Sequence, residues 1–342
     1  MIKKDSVAYK DNLKSEDFDT IRKPSFCSME VVYSCLLKCK MCHMWKNPRP
    51  PNELSIQAWK QFITSLKKFA GVDISINITG GEPLLKGNII DLIQFIAKQG
   101  FNDVSMSTNG FLINKDTAAD LADSGLRMVA LSLESLDKDV HDYLRGIKGA
   151  QARTMEALRY FNDYRGSLKK LGIQTIIMGP NLDGILELVN WANDNNISVY
   201  FMAITKPLCL PLGRDWQLKS DYSFLWPKHK VKLNNILDRL IKLKKERIDI
   251  GNSVAQLEAF KSYFDNPHNF IRQQEQCKMG DGMIKVGSTG EVLLCSEKGT
   301  IGNIRNNKID EVFFSEKAKH IREQIKCCHT NCTQLINCFF EE

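Results

Sequence analysis

The sequence predicts an α/β fold: a parallel sheet with helices packed on it, followed by a small cysteine-rich α+β domain. Three observations carry that reading. Between about residues 25 and 205, short β-like runs alternate with amphipathic helical segments. Polar residues gather where those runs end. Beyond residue 205 the alternation stops, and six of the eleven cysteines stand at or after Cys277.

The β-like runs appear in order as SFCSMEVV (25–32), ISINIT (74–79), DVSMS (103–107), RMVALSL (127–133), IQTIIM (173–178) and SVYFMAI (198–204). ISINIT alternates Ile with polar residues, the period-two signature of a strand. Between the runs lie segments such as NIIDLIQFIAKQG, closed by Gly100, and NLDGILELVNWANDN, for which Asn181 is placed as an N-cap. Six βα units with short connections imply a parallel sheet with right-handed crossovers. The pattern by itself leaves open whether the sheet stays flat or curls into a barrel. Thr79 and Glu82, Ser107 and Asn109, and Ser132 and Glu134 all stand at strand ends. In parallel α/β folds that edge is where ligands bind, because loops and helix N-termini converge there.

The expected organisation is a polar N-terminal arm (1–24), a βα domain (25–215), a helical linker (216–272) with helices near 228–247 and 253–264, and a cysteine-rich domain (273–342). In the last of these, GMIKVGSTGEVLLC reads as a hairpin turning at Ser288 to Gly290. The arm is too short for an additional N-terminal binding module.

Composition is that of a globular chain, 43% hydrophobic and 25% charged in 342 residues. No apolar run approaches the roughly 18 to 20 residues of a membrane helix, and the charged N-terminus lacks the apolar core of a signal peptide. A cytoplasmic protein without membrane contact is expected. Net charge is +7, and the densest basic stretch, Arg239 to Arg247, interleaves cations with Leu and Ile as a solvated helix face does. No nucleic-acid partner is expected.

In a reducing compartment clustered cysteines point to metal or redox chemistry rather than disulfides. Cys35, Cys39 and Cys42 stand in CLLKCKMCHMW. Their spacing is also one face of a helix, which allows a structural core, and His43 is available as a fourth ligand for zinc. Lys38 and Lys40 interleave with the trio and a strand precedes it, which favours an iron–sulfur cluster. Three thiolates ligate three irons of a 4Fe–4S cluster and leave the fourth open.

Here the sequence resembles the radical S-adenosylmethionine enzymes, whose defining loop has this C-x3-C-x2-C spacing after a first strand. GGEP (Gly80 to Pro83), STNG (Ser107 to Gly110) and SLESLDKDVHDYLRG (Ser132 to Gly146) resemble the family's later strand-end motifs, in the same order. The resemblance implies a partial (β/α)6 TIM-like barrel and a 4Fe–4S cluster bound to S-adenosylmethionine. It also implies a flavodoxin- or ferredoxin-type electron donor.

By that resemblance Gly80, Gly81, Glu82 and Pro83 face the methionyl amine, and Ser107, Asn109, Ser132 and Glu134 belong to the cofactor site on its ribose side. Arg145 suits the methionyl carboxylate, a surface salt bridge being the plain alternative. Met41 would lie near the adenine. Met41 replaces the family's usual aromatic and Glu134 its frequent Asp.

The C-terminal domain resembles the family's SPASM or twitch extensions, which bind auxiliary clusters. Cys277, Gly290 and Cys295 match its entry pattern, whereas CCHTNCTQLINCFFEE departs from the full set. One auxiliary iron–sulfur cluster is expected, on Cys277, Cys295 and two of Cys328, Cys332 and Cys338, with Cys327 spare; zinc on the same ligands is the alternative. Cys209, after the sixth strand, is either a loop-packing residue or a hydrogen donor to a substrate radical. Cys27 belongs to the core.

These readings converge on a radical oxidoreductase that takes a hydrogen atom from a sugar or other small molecule. The alternative is a maturase that modifies a ribosomally made peptide. Outside enzymes, an iron–sulfur or zinc regulatory protein is the competing class.

Overall fold

The computed structural model describes residues 21–46, 50–207, 210, 212–213, 215–268 and 277–337. Strand β1 (Phe26–Val32) is followed by the cysteine loop, then α1 (Ile56–Ala70), β2 (Ser75–Gly80), α2 (Ile89–Lys98), β3 (Val104–Thr108), α3 (Lys115–Ala122) and β4 (Met128–Ser132). Next come α4 (Lys138–Arg145), α5 (Ala150–Asp163), β5 (Lys170–Ile177), α6 (Ile185–Asp194) and β6 (Ser198–Ala203). After them run α7 (Trp216–Lys219), α8 (Lys230–Lys245), α9 (Val254–Asp265), β7 (Met283–Val286), β8 (Glu291–Cys295), β9 (Gly299–Asn303), α10 (Ile309–Phe313), α11 (Glu316–Lys326) and α12 (Thr333–Asn337).

The strands form one sheet in the order β6-β5-β4-β3-β2-β1-β7-β8-β9, parallel from β6 through β7 and antiparallel in the β7–β8–β9 meander. The first six are the expected partial (β/α)6 barrel. The expected hairpin is present, with Gly290 at φ +93° in its turn. It does not form a separate sheet, because β7 continues the barrel by pairing Phe26 with Met283 through Met29 with Val286.

Amphipathic spacing explains how helices cover the sheet. Ser55 caps α1 by accepting from Ala58 N at 3.1 Å, and Trp59, Phe62, Ile63, Leu66 and Phe69 make one buried face. Burying each such side chain stabilises the fold by about 1.5–3 kcal/mol. On the sheet, Cys27, Met29, Ile76, Ile78, Val104 and Met106 are fully buried. The opposite face carries a polar row in register across four strands: Lys285, Ser28, Asn77 and Ser105. Cross-strand bonds tie it together, Asn77 Nδ2 donating to Ser105 Oγ at 3.0 Å and Ser107 Oγ at 3.3 Å.

Two expectations are corrected. Strand β5 begins at Lys170, three residues before the expected start, because Lys170, Leu171 and Gly172 already pair with Met128, Val129 and Ala130 of β4. Asn181 does not cap α6. Its side chain is buried, accepting from Met178 N at 2.9 Å and donating to Glu134 O at 2.8 Å and Ile176 O at 2.9 Å.

The outer edge of β6 has no strand neighbour, and side chains complete it. Val199 bonds the backbone of Asp249 and Gly251. Asn252 then bonds both the N–H and C=O of Phe201, at 2.7 and 2.8 Å, and Asn337 does the same for Ala203, at 2.8 and 3.0 Å. Carboxamides here replace a missing strand, which removes the exposed edge. Asn337 thereby fastens the C-terminal tail to the mouth end of β6.

Candidate active site

The mouth is assembled from backbone close approaches. Gly80 (φ +133°) and Gly81 lie against the chain between Val32 and Ser34, so that a Cβ on either would collide with the Val32 or Ser34 carbonyl. Gly81 N donates to Val32 O at 2.8 Å and Glu82 N to Ser34 O at 2.9 Å. The glycine pair thus sets the end of β2 directly beneath the entry to the cysteine loop. From the other side, Lys38 N donates to Arg145 O at 3.0 Å and Lys40 N to Leu144 O at 2.8 Å. The loop is therefore held between β2 and the last turn of α4.

Cys39 is buried, and Cys35 and Cys42 are half-buried. Burial pushes the Cys35 thiol up to about 11, against the lowering effect of the Leu37 N–H. Asn109 Nδ2 donates to Cys35 Sγ at 3.8 Å, and Arg145 Nη1 to Cys39 Sγ at 3.7 Å. Among the described residues no three His, Cys, Asp or Glu side chains stand close enough to hold a single metal ion. His43 joins no such group; its ring stacks on Trp45 at 5.8 Å and meets Tyr222 edge-on at 5.1 Å. Burial, then Lys46 and Lys40, lowers its pKa.

Both acidic residues assigned to the cofactor are sealed. Glu82 is fully buried, accepting from Thr108 Oγ1 at 2.8 Å, Leu84 N at 3.1 Å and Asn109 N at 2.9 Å. Glu134 accepts from Arg145 Nη2 at 2.5 Å and Ile176 N at 2.8 Å. Burial raises both carboxyls above their ordinary range, opposed by these donors. Burial acts to lower the Arg145 guanidinium, but Glu134 and Cys39 outweigh it and raise it. The Nε of Arg145 is buried without a partner. Among the other expected cofactor residues, Met41, Pro83 and Asn109 are buried, and Ser107 and Ser132 are half-buried at the ends of β3 and β4.

In the C-terminal unit Cys295 is buried at the end of β8 and accepts from Glu297 N at 3.4 Å. Burial raises its thiol, and Cys277 and Cys328 are near enough to raise it further. Cys277 and Cys328 thus lie within electrostatic range of Cys295. Cys332 is half-buried ahead of α12 and Cys327 is exposed, while Cys209 and Cys338 lie outside the described residues. Sequence reasoning missed Arg322, which donates to Gly280 O, Asp281 Oδ1 and Phe313 O at 3.0 Å each and so ties the turn after Cys277 to α11. It also missed His141, whose Nδ1 accepts from Glu134 N at 3.1 Å. A lone Arg or His on an amphipathic helix carries no sequence signal for such a role.

Two family models match the chain. One, the radical SAM superfamily, covers residues 29–192; the other, an iron-sulfur cluster-binding domain, covers 277–338. The AdoMet-dependent heme synthase of Nitratidesulfovibrio vulgaris is 27% identical over 304 residues, 86% of this chain and 79% of that protein. The antilisterial bacteriocin subtilosin biosynthesis protein AlbA of Bacillus subtilis is 30% identical over 142 residues, 41% of this chain and 31% of its own length. In fold, the chain is similar to Streptococcus suis SuiB bound to the precursor peptide SuiA (TM-score 0.68, 18% identity, 96% of this chain and 80% of that one). No helix among the described residues is long and apolar enough to cross a membrane.

Proposed function

The chain belongs to the radical SAM superfamily and carries its iron–sulfur cluster-binding extension, and from this premise we propose that Cys35, Cys39 and Cys42 hold a 4Fe–4S cluster whose open iron takes S-adenosylmethionine. When bound, that pair supplies a 5′-deoxyadenosyl radical able to remove a hydrogen atom from a substrate. The observation that carries the reading is that the cysteine loop sits on the Gly80–Gly81 pair, with Asn109 at Cys35 and Arg145 at Cys39. Met41, Ser107, Asn109 and Ser132 line the cofactor site, and Arg145, with both Nη atoms engaged by Glu134 and Cys39, offers its unpartnered Nε to a carboxylate. Cys277, Cys295 and Cys328, with Cys332 or Cys338, would hold one auxiliary cluster, which would supply an acceptor for the electron left by substrate oxidation. The electron donor is of flavodoxin or ferredoxin type.

Anaerobic incubation of reconstituted protein with S-adenosylmethionine and dithionite tests this. Release of 5′-deoxyadenosine is expected; none from a fully loaded protein sinks it.

Two substrate classes remain. Likeness to the heme synthase over 86% of the chain supports a small molecule. Local identity to a bacteriocin biosynthesis protein supports a peptide. Stimulation of 5′-deoxyadenosine release by a low-molecular-weight cell extract separates them: a factor that survives protease is a small molecule, and one that protease destroys is a peptide.

A further inference from the structure

We infer that Glu82 and Glu134 are positioning residues for the three-cysteine site, each holding one hydrogen-bond donor against one cluster thiolate. The inference rests on the proposed occupancy of Cys35, Cys39 and Cys42. It departs from the roles the family resemblance gives these glutamates, beside the methionyl amine and at the ribose.

The two arrangements are parallel. Glu82 Oε2 accepts from Asn109 N at 2.9 Å while its Oε1 takes Thr108 Oγ1 at 2.8 Å, which pins the end of β3. Asn109 Oδ1 is then occupied by Phe111 N at 2.9 Å, so the carboxamide has one orientation, with Nδ2 toward Cys35 Sγ at 3.8 Å. Glu134 Oε2 is fixed by Ile176 N at 2.8 Å, and its Oε1 grips Arg145 Nη2 at 2.5 Å. The other arm of the fork, Nη1, points at Cys39 Sγ at 3.7 Å. Both carboxylates are fully buried with their oxygens already taken, which leaves little capacity for a nucleoside. Glu82 lies in GGEP and the donor Asn109 in STNG, whereas Glu134 and Arg145 belong to the same strand-four motif.

Donors to ligand sulfurs favour the more negative, reduced cluster and raise its midpoint potential.

The test uses full-length protein in a Cys277→Ala/Cys295→Ala background, so that one cluster dominates the spectrum. Midpoint potentials are read by electron paramagnetic resonance titration without S-adenosylmethionine, alongside iron content and cofactor binding. Glu82→Asp and Glu134→Asp keep the charge and lose the reach; both are expected to shift the potential negative with iron unchanged. Asn109→Ala, which removes the donor and spares both glutamates, should shift it in the same direction. An unchanged potential with weakened cofactor binding in the Asp variants means direct cofactor contact and overturns the inference. If an Asp variant binds no iron, Asn109→Ala decides, and an unchanged potential there overturns it. A wild-type protein without a redox-active cluster on the trio would instead sink the proposed function itself.

Discussion

The Lys38 carbonyl packs against the α-carbon of Gly146 so closely that no side chain fits between them. Gly146 sits at φ +73° as the C-cap of α4, directly after Arg145, and Lys38 lies between the first two cysteines. One glycine therefore terminates the helix and lets the cysteine loop dock on it. Gly146→Ala is expected to cost about 1–3 kcal/mol through the left-handed backbone alone. Because the clash also displaces Lys38, iron binding by the trio should fall. Urea midpoints and iron content measured on the same preparation check both, and a normal iron content in a destabilised variant would disprove the docking role.

The two proposed cluster sites would use separate thiols, so they should empty separately. In the Cys35/Cys39/Cys42→Ala variant, about half the iron and sulfide is expected to remain, as for one of two clusters with independent ligands. Release of 5′-deoxyadenosine should vanish. Loss of all the iron would mean that the sites assemble as one.

His141 gives a pH dependence with a definite sign. Burial, with Arg145 second, lowers its pKa to about 3, and its Nδ1 accepts from Glu134 N, a bond that requires the neutral ring. The unfolded chain protonates this residue near its ordinary value of about 6.5. Between those two values the unfolded state binds the extra proton. Stability is therefore fully present above pH 6.5 and declines as pH falls toward 3, with a limiting slope of about 1.4 kcal/mol per pH unit. Glu82 and Glu134 also titrate, so the measurement is a difference: urea midpoints at pH 7.5 and pH 5 for wild type against His141→Gln. The variant should show the smaller drop.

What could be read from the sequence follows from how far apart the cooperating residues lie. The cysteine loop, GGEP, STNG and the strand-four motif are each contiguous, and a parallel sheet brings successive strand ends to one edge. The mouth was therefore legible with its members in order. Pairings across long separations were not. Nothing in MIKV marks it as a partner of FCSM on β1, since an apolar four-residue strand fits many edges equally well. Asn181 looked like a helix cap because Asn is favoured there, whereas tertiary contacts recruit its carboxamide to bridge three backbone groups. Glu82 and Glu134 were placed correctly at strand ends, but their saturation by protein donors is a property of packing.

The edge of β6 supplies the last prediction. Asn337 replaces a strand at Ala203, and Gln256 Nε2 fixes the adjoining Ile336 O at 3.1 Å. Asn337→Ala leaves a buried N–H and a buried C=O of Ala203 unpaired, at about 1–3 kcal/mol for each group left unsatisfied. The consequence reaches beyond stability, because α12 begins immediately after Cys332 and Ile336 N donates to Cys332 O at 3.0 Å. Freeing the tail should loosen the auxiliary ligands while the trio, whose loop is held by β2 and α4, keeps its iron. In the Asn337→Ala protein, iron is expected to drop toward the content of one cluster, with uncoupled 5′-deoxyadenosine release retained. Equal loss from both sites would show that the tail supports the whole sheet rather than the auxiliary site.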